Sequence, residues 1–152
     1  MPRRNVALLL SATLILGAQV AHASPLPDEA TLYKSPACGC CAAYGDYLKE
    51  RGVDVKVVET TNLGEIKERL DLPHGLGSCH TLKMGGYVVE GHVPGAALDR
   101  LFAERPSVRG IALPGMPAGT PGMPGDQVQA LNVHQFDGNE TRVFMTLPIS
   151  AG

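Results

Sequence analysis

Three cysteines stand within four residues of this chain, at Cys38, Cys40 and Cys41, and a fourth follows at Cys79. Two spacings are nested in the first group. Cys38 and Cys41 make the Cys-x-x-Cys of redox sites, and Cys38 with Cys40 makes a tighter pair. At the start of a helix, free backbone N–H groups and the positive end of the helix dipole favour thiolate over thiol. Lys34 adds a nearby positive charge. Thiolate is both the redox nucleophile and the metal ligand. A disulfide framework, such as Cys38–Cys41 or Cys41–Cys79, is the plainer use of four cysteines in an exported chain. Crowding argues against it, since Cys40 and Cys41 are adjacent.

The choice of metal follows from the same crowding. Structural zinc sites usually space their ligands by two to four residues, so adjacent cysteines fit one tetrahedral ion poorly. Adjacent thiolates more easily serve different ions, with sulfur bridging between them. Soft thiolate and thioether donors select Cu(I). Thioethers are at hand in a small repeat, where Pro114-Gly115-Met116-Pro117 recurs as Pro121-Gly122-Met123-Pro124. Met116 and Met123 are therefore candidate ligands, or else apolar pegs that pin a stiff loop. His80, next to Cys79, either ligates directly or orients a thiolate. His92 and His134 are weaker candidates, because a lone histidine is more often structural. Cys79-His80 is no haem-attachment signal, since position 76 is Leu.

The elements that must position these groups read as follows. Thr31–Tyr33 is a short strand broken by Ser35-Pro36, and a helix runs from Cys41 to Glu50. Its Cys41, Tyr44, Gly45 and Leu48 share one face, and Gly52 ends it. Val53–Val58 alternates as a strand. Asn62 with Glu65 resembles a capping box opening a short helix that carries Leu63, Ile66 and Leu70. Thr81–Met84 and Tyr87–Glu90 are strands joined by Gly85-Gly86, a hairpin signal. Pro94 opens a helix buried through Leu98, Leu101 and Phe102. The order is βαβαββα, the thioredoxin order, with a right-handed crossover making the first two strands parallel. The cysteine loop then lies at the carboxyl end of the first strand, where open α/β sheets place ligands. Thioredoxins carry a cis-proline before the third strand; Cys79 falls there instead. Beyond a Gly/Pro/Met-rich stretch, Val128–Phe136 and Thr141–Leu147 flank Asp137-Gly138 as a terminal β-hairpin.

The first residues set the expected compartment. Arg3 and Arg4, an apolar run from Val6 to about Gly17, and Ala21-His22-Ala23 form the parts of a secretory signal peptide. The run is shorter than the roughly 20 apolar residues a membrane span needs. Removing residues 1–23 from 152 leaves 129 and moves the formal charge from −2 to −4. No basic stripe suggests nucleic acid, and no second long apolar stretch suggests a membrane span in the mature chain. The expected organisation is a metal-binding domain over 24–110 and an extension over 111–152 that packs on the metal site.

Taken together, Ser35-Pro36-x-Cys38-Gly39-Cys40-Cys41, Ser78-Cys79-His80-Thr81, Glu90-Gly91-His92-Val93-Pro94 and the Pro-Gly-Met-Pro repeat resemble the CopG-like family of periplasmic copper-resistance proteins. The resemblance runs from about Thr31 to Gly125. It implies a thioredoxin-like domain whose C-terminal extension helps to bind metal. It also implies several copper ions bridged by cysteine sulfur, and interconversion of Cu(I) and Cu(II) in copper resistance. One departure is local: the family often has Trp on the helix after the cysteines, and Tyr44 takes that place here. The expected partners are copper ions and periplasmic copper-efflux or chaperone proteins, with the chain itself a monomer. The competing reading is a thiol–disulfide oxidoreductase using Cys38 and Cys41.

Overall fold

The computed structural model describes residues 26–149. The signal peptide expected at 1–23 lies outside the described residues. Among the described residues, three helices and seven strands follow in the order β1 (Glu29–Lys34), α1 (Gly39–Glu50), β2 (Asp54–Glu59), α2 (Leu63–Arg69), β3 (His80–Met84), β4 (Tyr87–Glu90), α3 (Gly95–Glu104), β5 (Gly110–Ala112), β6 (Leu131–Asp137) and β7 (Glu140–Leu147). All seven strands form one sheet in the order β2-β1-β3-β4-β5-β6-β7. β1 is parallel to β2 and β4 to β5, and the other neighbours are antiparallel. No helix among the described residues is long and apolar enough to cross a membrane.

The stripes read on α1 and α3 are buried, whereas Leu63 and Ile66 of α2 and Leu70 just past its end are only partly buried. α1 buries Cys41, Tyr44, Gly45 and Leu48, and α3 buries Ala97, Leu98, Leu101 and Phe102. Tyr44 and Leu48 of α1 and all four of these α3 residues join Leu32, Leu82, Val89, Ile111 and Val133 in the main core. Side chains alternate across a strand, so Val88 and Ala112 point the other way. There they join Leu76 and Phe136 in a smaller cluster, packed by Leu70 and Leu72 at the end of α2.

The β3–β4 turn is Gly85-Gly86, with φ of 54° and 90°. Both torsions are positive, as the tight hairpin turn requires. Three expectations are corrected. Asn62 makes no side-chain cap; instead its N–H donates to the Thr60 hydroxyl at 3.0 Å. The terminal hairpin turns at Gly138-Asn139, with Asp137 paired to Glu140, and its first strand begins at Leu131 rather than Val128. β5 is an addition that periodicity does not reveal, because three residues are too short to show any. It joins β4 to the terminal hairpin, so the sheet crosses the expected boundary at 110/111 without a break.

Candidate metal centre

Strand order decides what meets. β1 runs antiparallel to β3 with Lys34 opposite His80, and β3 runs antiparallel to β4 with Thr81 opposite Glu90. The loop after β1, the loop before β3 and the chain leaving β4 therefore converge at one end of the sheet. β5 pairs Ala112 with Glu90, so the Gly/Pro/Met stretch starts from the same end.

The first loop ends at Cys38, the N-cap residue of α1, whose N–H donates to the Ser35 carbonyl at 3.0 Å. Cys40 and Cys41 occupy the first turn, where backbone N–H groups lack helical partners. Lys34 does not reach the thiols as a free charge. It is 5% exposed, and its ammonium donates to the carbonyls of Ser35 and Pro36 and pairs with Glu59 at 3.0 Å. Its charge fastens the loop that leads into the cysteines.

The sulfurs of Cys38, Cys40, Cys41 and Cys79 all lie within 4.8 Å of one another. Cys38 and Cys41 are joined as a disulfide, and Cys40 and Cys79 are free. Cys40 Sγ is 3.5 Å from Cys38 Sγ. A disulfide thus stands beside two free thiols, with all four sulfurs gathered at one point.

A second group shares Cys79. With His80 and His92 it offers one sulfur and two imidazole nitrogens, again within 4.8 Å of one another. His92 Nε2 lies 3.1 Å from Cys79 Sγ, while its Nδ1 lies 2.8 Å from the Pro121 carbonyl. A carbonyl only accepts, so Nδ1 carries the proton and Nε2 turns its lone pair towards the sulfur. Burial holds the His92 pKa below the ordinary imidazole value, which keeps that lone pair free at neutral pH. His80 Nδ1 is 3.5 Å from the same sulfur, and its Nε2 is buried with no hydrogen-bond partner among the described residues. Burial first, then His92 and Lys67, push its pKa down to about 3. Burial and the neighbouring Cys40 push Cys79 up to about 11.

Tyr44 forms the wall of this pocket. Its ring lies 4.7 Å from the His80 ring and 5.5 Å from the His92 ring, and its hydroxyl donates to the Val93 carbonyl at 2.9 Å. The aromatic residue after the cysteine motif therefore packs against the imidazoles. Glu90, fully buried, accepts hydrogen bonds from the Ser78 N–H and the Thr81 hydroxyl, both at 2.6 Å, and pairs with Lys67.

The Gly/Pro/Met stretch lies against both loops. The Ser78 hydroxyl donates to the Gly115 carbonyl, and Gly122 sits so close to α1 that an added Cβ would lie 2.8 Å from the Cys40 carbonyl oxygen. Met116 is 54% exposed and Met123 is partly buried. His134 stands on β6 opposite Ala112, outside both Cys/His groups. Sequence reasoning undervalued His92. Its signal was position, a histidine directly after the end of β4, which has meaning only once β4 is placed beside β3.

A family model described as "Protein of unknown function, DUF411" matches residues 76–123, the segment holding Cys79, His80, His92 and both methionines of the repeat. Two solved structures are similar over most of the chain. One, "Copper resistance protein copG- Form 1", is 35% identical with a TM-score of 0.73, covering 80% of this chain and 98% of that one. The other, "Copper resistance protein copG- Form 2", is 36% identical with a TM-score of 0.73, covering 82% and 99%. No curated protein matches the chain.

Proposed function

The chain belongs to the CopG family of copper-resistance proteins, and on that premise we propose that it binds copper as cargo at Cys38, Cys40, Cys41 and Cys79. His92 and His80 are proposed as nitrogen donors, and Met116 and Met123 as thioether donors carried by the adjoining stretch. One observation carries this reading: four sulfurs within 4.8 Å, with the lone pair of a neutral imidazole aimed at one of them. Thiolates suit Cu(I), and imidazole nitrogen also accommodates Cu(II). The adjacency of Cys40 and Cys41 favours a cluster of several ions bridged by sulfur.

Redox interconversion of the cargo is part of the proposal. The Cys38–Cys41 disulfide supports it, because the corresponding dithiol holds two electrons. Two Cu(II) ions take one electron each, the sulfurs of Cys38 and Cys41 join and cease to be thiolate donors, and two thiol protons leave to solvent, giving two Cu(I) left to Cys40, Cys79 and the imidazoles. A thiol reductant restores the dithiol. The order β2-β1-β3-β4 with three helices supports a thioredoxin-like reading of the domain over 24–110, with 111–152 as an extension over the site. Export by residues 1–23 to the periplasm, a monomeric state, and copper-efflux or chaperone partners complete the reading.

The same disulfide favours a second reading, a thiol–disulfide oxidoreductase acting through Cys38 and Cys41. One experiment separates the two. The reduced protein is titrated with Cu(I) against a chromophoric chelator, and its insulin reductase activity is assayed without metal. More than one copper per chain, falling in Cys79→Ser, supports the copper reading. Rapid insulin reduction, with copper binding no stronger than that of an unrelated dithiol and unaffected by Cys79→Ser, overturns it.

A further inference from the structure

One charged side chain beside the site has no part in the chemistry above. Glu90 ends β4 with its carboxyl group fully buried. A carboxylate removed from water is costly unless its charge and lone pairs are matched. Here both oxygens are matched by groups bracketing Cys79. Oε1 accepts from the Ser78 N–H at 2.6 Å, one residue before Cys79. Oε2 accepts from the Thr81 hydroxyl at 2.6 Å, two residues after it. Lys67 of α2 supplies the counter-charge to Oε1 and also donates to the Thr81 hydroxyl oxygen at 2.9 Å. The next two residues grip the same loop. At Gly91, with φ of 77°, an added Cβ would lie 2.8 Å from Ser78 Cβ, so the strand passes directly against the loop. His92 Nε2 then meets Cys79 Sγ.

A buried ion pair contributes little net stability, since desolvation offsets most of the attraction. Stability alone is therefore a weak reason for this arrangement. We propose that Glu90, held by Lys67, is the positioning residue for Cys79: it clamps Ser78 and Thr81 so that the Cys79 sulfur stands among the other three sulfurs and before His92. The proposal rests on the reading of the four cysteines as copper donors. It assigns Glu90 no contact with copper, and it makes Glu90-Gly91-His92 a single cradle for Ser78–Thr81.

The test compares Glu90→Ala, Glu90→Gln, Cys79→Ser and Arg51→Ala. Arg51→Ala breaks the Arg51–Asp99 pair between the C-terminal end of α1 and α3, which includes no proposed copper donor, and serves as the control for general loosening. Two quantities are read on reduced protein. The first is the ratio of iodoacetamide labelling at Cys79 to that at Cys40 within the same molecules, by mass spectrometry without copper. The second is Cu(I) affinity by chelator competition. Glu90→Ala is expected to raise the labelling ratio severalfold and to weaken Cu(I) binding about ten- to a hundredfold, the usual effect of removing a group that orients a metal donor. Glu90→Gln, which keeps an acceptor for the Ser78 N–H, is expected to recover most of both. Arg51→Ala is expected to move neither, whatever it does to the melting temperature.

A wild-type labelling ratio and wild-type affinity in Glu90→Ala, with only the melting temperature lowered, would overturn the proposal. So would a Glu90→Gln protein as weak for copper as Glu90→Ala with an unaltered ratio, since charge and not position would then matter. Should Glu90→Ala fail to fold, Thr81→Val removes one grip and keeps the ion pair, and the same ratio decides. If wild-type protein bound no Cu(I), the copper reading would fall, while the labelling ratio would still judge the clamp.

Discussion

At the scale of single residues, the donors of this site differ in how tightly they hold protons. Cys79, pushed up to about 11 by burial and by Cys40, is a thiol at neutral pH before metal arrives. Copper must therefore displace its proton. Because the thiol pKa lies above the working pH, each unit of acidification costs about a factor of ten in affinity for every proton displaced. Cu(I) affinity is expected to rise steadily between about pH 6 and pH 9, and Cys79→Ser to show a slope smaller by one proton. Chelator competition at three pH values measures both. His80 adds nothing to this slope, since burial pushes its pKa down to about 3, and burial lowers that of His92 as well.

His80 has its own signature. Its pKa of about 3 in the folded chain lies below the ordinary value near 6.5. The unfolded chain thus takes up the proton first, and stability present above about pH 6.5 is lost as pH falls towards 3, by at most about 1.4 kcal/mol per unit. Urea unfolding of copper-free protein at pH 7 and pH 5 should show the loss, and His80→Phe should flatten it while keeping the contact with Tyr44. The cysteines were legible in sequence because adjacency is a rare pattern. His92 was not, because nothing local distinguishes a donor histidine from a packed one. Lys34 was legible as a nearby charge but not as a clamp, since its acceptors are backbone carbonyls and a glutamate of the neighbouring strand.

At the scale of elements, periodicity and turn chemistry carried most of the reading. The α1 and α3 stripes and the Gly85-Gly86 hairpin follow from side-chain spacing and from the positive φ that glycine permits. β5 escapes such reasoning. Its place depends on Gly110, where an added Cβ would lie 2.0 Å from the Val88 carbonyl oxygen, a contact between distant segments that no local pattern encodes. Gly122 is of the same kind. Its φ is 80°, and a Cβ there would lie 2.8 Å from both the Cys40 carbonyl oxygen and the Tyr44 backbone nitrogen. Gly122→Ala is expected to cost about 1–3 kcal/mol from backbone strain alone, with the clash adding to it. Because the displaced contact is the turn bearing Cys40, Cu(I) affinity should fall as well. Another glycine of positive φ, Gly138 at 54°, has nothing within 4 Å of its added Cβ. Gly138→Ala should therefore lose stability without losing copper, and comparison of the two by urea unfolding and Cu(I) titration isolates the contact.

At the scale of the whole molecule, the terminal hairpin is built into the sheet. β6 pairs with β5 along Gly110–Ala112, and β7 bulges at Phe144 between the pairs Val133–Met145 and His134–Val143. The bulge turns Phe144 under Arg100 of α3, whose guanidinium lies 4.6 Å from the ring centroid. Leu131, Val133 and Phe144 enter the main core, and Phe136 closes the smaller cluster over Val88 and Ala112. Removing any one such side chain costs about 2–5 kcal/mol, against a total stability of about 5–15 kcal/mol for a domain. A chain ending at Gly125 loses all four together and leaves β5 as a three-residue edge strand paired only to β4. Such a chain is expected to show no cooperative thermal transition and no defined copper stoichiometry, even though every proposed donor is still present. Circular-dichroism melting of the truncated and full chains decides the matter. A cooperative melt near the full-length midpoint would make the hairpin an appendage. A flat one would show that the sulfur cluster depends on a β-hairpin that contributes no ligand to it.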